Sequence, residues 1–86
     1  MPRIAEFYGI VIYMYYREHG VPHFHAIYGE HEAVISVRGL RVLEGRLPRR
    51  ALALVRAWGK LHQDALEHDW ALARSGRPLQ RIEPLE

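Results

Sequence analysis

The chain has 86 residues, a formal net charge of +2 with its six histidines neutral, a hydrophobic share of 49% and no cysteine. That length supports one domain and that composition argues against disorder, while the missing cysteine excludes disulfides, thiolate metal sites and cysteine nucleophiles. The N-terminal segment lacks the basic start and apolar core of a signal peptide. The apolar run from Gly9 to Tyr16 is far short of the ~20 residues of a membrane span, so a soluble, cytoplasmic protein with no membrane contact is expected.

Residues 7–16 (FYGIVIYMYY) are aromatic and β-branched and read as a first strand. Arg17 to Val21 reads as a turn, and Pro22 opens a second strand over about 23–28, where a missing N–H costs least. Gly29 to Glu32 reads as a loop and Ala33 to Val37 as a third strand. Arg38-Gly39 is a turn candidate before a short fourth strand, Leu40 to Glu44.

The period then changes. Pro48 suits a first helical position, and apolar residues recur at helical spacing at Ala51, Leu54, Val55, Trp58, Leu61, Ala65, Leu66, Trp70 and Ala73, ending at Gly76 with Pro78 beyond. One straight helix of that length exceeds what short strands can cover, so a bend or break is expected between Gly59 and Asp64. Asp64 with Glu67 three residues on supplies a fresh capping signal there. The tail, 76–86, carries Leu79, Ile82 and Leu85 at spacing three, enough to dock on the body.

These readings make residues 1–86 a single α+β domain. A four-stranded antiparallel β-meander (about 7–44) has one face covered by one bent or two C-terminal helices (48–75), with the tail after them.

His23 and His25 stand two apart in a strand and so project to one face. If the first hairpin closes symmetrically about residue 19, Ile10 faces Tyr28, Ile12 faces Ala26 and Met14 faces Phe24 on the apolar side. Tyr13 then pairs with His25, and Tyr15 with His23, on the other. Carrying the alternation across the remaining strands predicts a transverse row of Tyr13, His25, Ser36 and Arg41 on the sheet face away from the helices.

Three kinds of chemistry suit these residues. His23 and His25 with Glu30 match the His-x-His-x4-Glu half of a cupin-type site for a divalent transition metal, although Gly39 falls two residues late for that motif. Two imidazoles beside Tyr and Arg can act as acid and base in a small metal-independent ribonuclease, with His23 and His25 as catalytic candidates and no cofactor. The same His/Tyr/Arg face can bind protein or RNA without catalysis, its tyrosines stacking bases.

Charge clusters rather than dominates. Arg38, Arg41, Arg46, Arg49 and Arg50 stand against a single Glu44. Arg49 and Arg50 in a helix's first turn oppose its macrodipole and would suit an anion or an acidic partner. His19 and His31 read as solvated turn residues, and His62, Trp58 and Trp70 as packed helical residues.

The chain resembles the small bacterial family catalogued as domain of unknown function 4160. The likeness rests on Phe7-Tyr8-Gly9-Ile10, Met14-Tyr15-Tyr16, Pro22-His23-Phe24-His25-Ala26, Tyr28-Gly29, Leu43-Glu44-Gly45, Leu47-Pro48-Arg49-Arg50-Ala51, Trp58, Trp70 and Ile82-Glu83-Pro84-Leu85. Gly59 departs from the family pattern. The resemblance implies half of a toxin–antitoxin-like two-gene unit, with a small partner protein encoded nearby.

Overall fold

The computed structural model describes residues 2–86. Five strands, β1 (Arg3–Phe7), β2 (Ile10–Tyr13), β3 (His23–Tyr28), β4 (His31–Ser36) and β5 (Val42–Gly45), precede two helices, α1 (Arg49–Leu61) and α2 (Gln63–Arg74). The strands form one antiparallel sheet in sequence order. The α+β meander and its paired C-terminal helices are as expected. The strand count is not: there are five strands, not four.

The extra strand comes from the aromatic run. Tyr8 and Gly9 both adopt positive φ (50° and 80°), the geometry of a type I′ hairpin turn, so residues 7–16 fold back instead of extending. Phe7 ends β1 opposite Ile10, and Ile4 and Ala5 are buried in the core. Met14 and Tyr15 fall outside β2 and begin a connection to β3, so the pairs Met14 with Phe24 and Tyr15 with His23 do not form in the ladder.

The remaining β2–β3 register is the expected one: Ile10↔Tyr28, Val11↔Ile27, Ile12↔Ala26 and Tyr13↔His25. The next hairpin is tighter than expected. Gly29-Glu30 is a two-residue turn, and β4 starts at His31 rather than Ala33. Val34, not Ser36, therefore stands opposite His25, while Ser36 stands opposite His23.

One core lies between the sheet and the helices. Ile10, Ile12, Phe24, Ala26 and Ile35 turn toward it from the strands, meeting Val55, Trp58 and Leu66. Trp58 is fully buried, its ring 5.3 Å from Phe7 and 5.8 Å from Phe24. Leu61, expected on this helical face, is exposed.

The helices break at His62, within the expected interval, but Asp64 and Glu67 form no capping box there. Glu67 instead accepts two bonds from Arg38, at 2.7 and 3.0 Å. At Gly59, α1 passes close against Leu40: an added Cβ would lie 2.6 Å from Leu40 Cδ2. Past α2, Arg77 N–H bonds Leu72 O at 2.9 Å and Gly76 N–H bonds Ala73 O at 3.2 Å, a Schellman closure. The tail then docks as expected, with Ile82 buried and its N–H on Ile4 O.

Asp69 of α2 is a buried carboxylate. Its Oδ1 accepts the Gln80 backbone N–H at 2.9 Å, but Oδ2 has no partner among the described residues. Burial pushes its pKa up from the ordinary 3.8. The folded state thus holds this proton more tightly than the unfolded one, and stability falls as pH rises from the unfolded value through the raised one. Asp69→Asn keeps the Oδ1 acceptor and removes the charge. In urea unfolding between pH 4 and pH 7, the variant is expected to lose less stability with rising pH than the parent. Parallel pH profiles would contradict this assignment.

Candidate functional site

The connection from Met14 to Pro22 carries the site. Met14 is fully buried, and Arg17, at φ 61°, hydrogen-bonds through its N–H to Ala73 O of α2 at 3.2 Å. Pro22 O accepts the Val37 N–H at 2.9 Å. Pinned at these points, the segment folds over the start of β3 and delivers Glu18 to the two histidines.

One oxygen, Glu18 Oε1, lies 3.1 Å from His23 Nε2 and 3.0 Å from His25 Nε2. The second nitrogen of each ring also has a partner. His23 Nδ1 is 2.8 Å from Val21 O, and His25 Nδ1 is 3.3 Å from Glu32 Oε2. Tyr15 presses edge-on against His25 at 4.3 Å, with Tyr13 stacked on Tyr15 at 6.4 Å. The imidazoles are only 12% and 13% exposed, so this is a covered site rather than an open face.

His23 departs further from the expected open face. Its ring packs against Trp70 of α2 at 4.9 Å, so only His25 is clear of the helices. Tyr15, not Tyr13, is the aromatic ring against His25.

Electrostatics follow from these contacts. The hydrogen bond from His25 is the largest influence holding the Glu18 carboxyl below its ordinary pKa, and that from His23 adds to it. Burial raises the Tyr15 phenol, helped by the nearby Glu32.

Protonation logic sharpens the picture. A carbonyl oxygen only accepts, so His23 Nδ1 carries hydrogen, and the Glu32 carboxylate imposes the same on His25 Nδ1. If the rings are neutral, both Nε2 lone pairs then point at a carboxylate oxygen. Three acceptors converge, with ligand atoms all within 4.8 Å of one another. Protons on the Nε2 atoms, or a cation between the three ligand atoms, would relieve that convergence.

The other candidates lie apart from this triad. Glu30 sits in the turn beyond the far end of β3, whose last residue, Tyr28, is already about 10 Å along the strand from His25. The carboxylate that joins the histidines is Glu18. Ser36 is buried, donating to Arg38 O at 2.8 Å and accepting the Arg41 N–H at 2.9 Å, so it holds the β4–β5 turn. Arg41 is exposed beside a neighbouring cavity. Arg49 and Arg50 start α1 with no side-chain cap, and Arg50 lines a different cavity, of about 510 Å³, with Tyr8 and Tyr28.

Glu18, Glu32 and Glu44 are the site-side acids that sequence reasoning missed. Glu44 stands opposite Val34 in the ladder and so shares the face of His25. That alternation was available in the sequence; the position of Glu18 was not.

No helix among the described residues is long and apolar enough to cross a membrane. No curated protein and no solved structure matches the chain. Residues 9–71, which hold the Glu18–His23–His25 triad, four of the five strands, α1 and most of α2, match the family described as domain of unknown function (DUF4160). The chain belongs to that family.

Proposed function

We propose that this chain is a divalent-metal-binding protein with Glu18, His23 and His25 as its ligands. The observation that carries the reading is the convergence of two Nε2 atoms on one carboxylate oxygen, each ring buttressed at Nδ1 by an acceptor. Metal-binding histidines are usually oriented in this way, by a carbonyl or carboxylate on the far nitrogen. Ligands at about 2.1 Å from an ion, with angles between 90° and 110°, stand about 3.0–3.4 Å apart. The two oxygen–nitrogen separations, 3.0 and 3.1 Å, fit that spacing, and all three ligand atoms lie within 4.8 Å of one another. Two nitrogens and one oxygen suit zinc, cobalt(II) or iron(II), and three protein ligands leave a coordination position open.

The geometry favours this over the other two readings. A ribonuclease acid and base flank the phosphate from opposite sides. Here both imidazoles aim at one atom. A docking face for protein or RNA would need the histidines exposed, whereas they lie beneath Tyr15 and the 14–22 connection.

The test uses the full chain without a histidine tag, stripped with EDTA and titrated with zinc by calorimetry. One zinc per chain is expected, with a rise in Tm because the ion binds only the folded state; 100-fold excess over Kd is worth about 2.7 kcal/mol. Glu18→Gln and His25→Gln should each weaken binding at least ~100-fold, while Glu30→Gln leaves it unchanged. No stoichiometric zinc, or equal affinity in Glu18→Gln, overturns the reading.

A further inference from the structure

The triad opens onto a groove with opposite charges at its two ends. A cavity of about 470 Å³ is bounded by Glu18, His23, His25, Val34, Leu43 and Glu44 among others. On one side it shares His25, Val34 and Glu44 with a cavity of about 300 Å³ that adds Glu32. On the other it shares Val21 and Leu43 with a cavity of about 400 Å³ that adds Arg38 and Arg41. One end is acidic, the other basic, and the histidines lie between.

The end groups differ in availability. Arg38 is held by Glu67, and Glu32 by His25. Neither the Arg41 guanidinium nor the Glu44 carboxylate has a hydrogen-bonding or ionic side-chain partner among the described residues, so each is free to meet a charged group. They stand three positions apart in the chain, Arg41 just before β5 and Glu44 within it, across an irregular step in the β4–β5 register. The floor between them, Val34 and Leu43, is apolar.

We infer that this groove takes a short zwitterionic peptide, its ammonium at Glu44, its carboxylate at Arg41 and its backbone passing the metal site. The inference rests on the metal reading, which supplies the open coordination position. The opposite charges of a peptide's two termini match the two free charges of the groove. A phosphodiester or mononucleotide fits the pattern less well, because it offers no positive group to Glu32 and Glu44 at the acidic end.

The test follows the backbone amides of the 15N-labelled, zinc-loaded chain by NMR during titration with trialanine, N-acetyl-trialanine, trialanine amide and 5′-AMP. Trialanine is expected to shift the signals of Arg41, Leu43 and Glu44 saturably. Blocking either end should weaken binding at least 10-fold. Arg41→Gln should erase the penalty of amidation alone, and Glu44→Gln that of acetylation alone.

Equal binding of the blocked peptides, tighter binding of 5′-AMP, or a return to the zinc-free spectrum through extraction of the ion overturns the inference and leaves the metal site standing. Zinc that fails to shift the signals of His23 and His25 sinks the metal reading, and the inference falls with it.

Discussion

Trp58→Ala is expected to lower folding stability by about 3–5 kcal/mol, the usual cost of emptying a buried aromatic site. The indole is fully buried, lies within 6 Å of both Phe7 and Phe24, and donates from Nε1 to Glu83 O at 2.8 Å. Three layers therefore depend on one side chain: the β1 edge, the centre of the sheet, and the C-terminal tail. A domain of this size holds only about 5–15 kcal/mol in total, so the variant should be marginally folded at 25 °C. Trp58→Phe keeps most of the ring contact but leaves the Glu83 carbonyl without its donor. It should cost less, about 1–3 kcal/mol, and should loosen residues 79–86 first. Urea denaturation followed by circular dichroism measures both. A loss below about 1.5 kcal/mol in Trp58→Ala would mean that the core closes around the gap, against the stated role of the indole.

The contrast between what the sequence disclosed and what it concealed has a physical origin. The β2–β3 register was legible because Ile10, Ile12, Phe24 and Ala26 must share one face, and a one-residue slip would expose all of them. The third strand was misplaced by two residues, which the same rule cannot detect. A two-residue slip keeps every side chain on its own face and changes only its cross-strand neighbour. Hence Val34, rather than Ser36, stands opposite His25. The turns held the missing information: Tyr8-Gly9 and Gly29-Glu30 are two-residue turns in which Gly9 and Gly29 supply positive φ. Each carried a readable signal, a glycine between two runs of alternating residues.

The candidate site divides in the same way. His23 and His25 were recognisable because their spacing alone places them together. Glu18 was not, since it belongs to an irregular connection without periodicity. Its position follows from tertiary contacts, the Arg17 N–H on Ala73 O and the buried Met14. Glu30 matched a linear spacing motif, yet the tight turn that contains it carries it past the end of the strand. Spacing along the chain predicts proximity only while the chain stays regular.

Gly45→Ala is expected to damage fold and site together. Gly45 has φ +72°, a conformation in which an L side chain is strained by about 1–2 kcal/mol. The added Cβ would also collide with the Glu32 carbonyl oxygen and lie 3.1 Å from its carbon and 3.2 Å from Ala33 Cα. These are backbone atoms of β4 with no rotamer to change, and the same carbonyl already accepts the Arg46 N–H at 3.0 Å. Relief requires β5 to move away from β4, so the total cost should reach about 2–4 kcal/mol. Glu32 would move as well, and its Oε2 is the partner of His25 Nδ1. Loss of such an orienting contact typically weakens metal binding about 10–100-fold. Gly29→Ala is the control: φ is +60° there, but an added Cβ meets nothing within 4 Å. It should show only the conformational strain and unchanged zinc affinity. Equal stability losses in the two variants, or full zinc affinity in Gly45→Ala, would show that the β4–β5 contact does not hold Glu32 against His25.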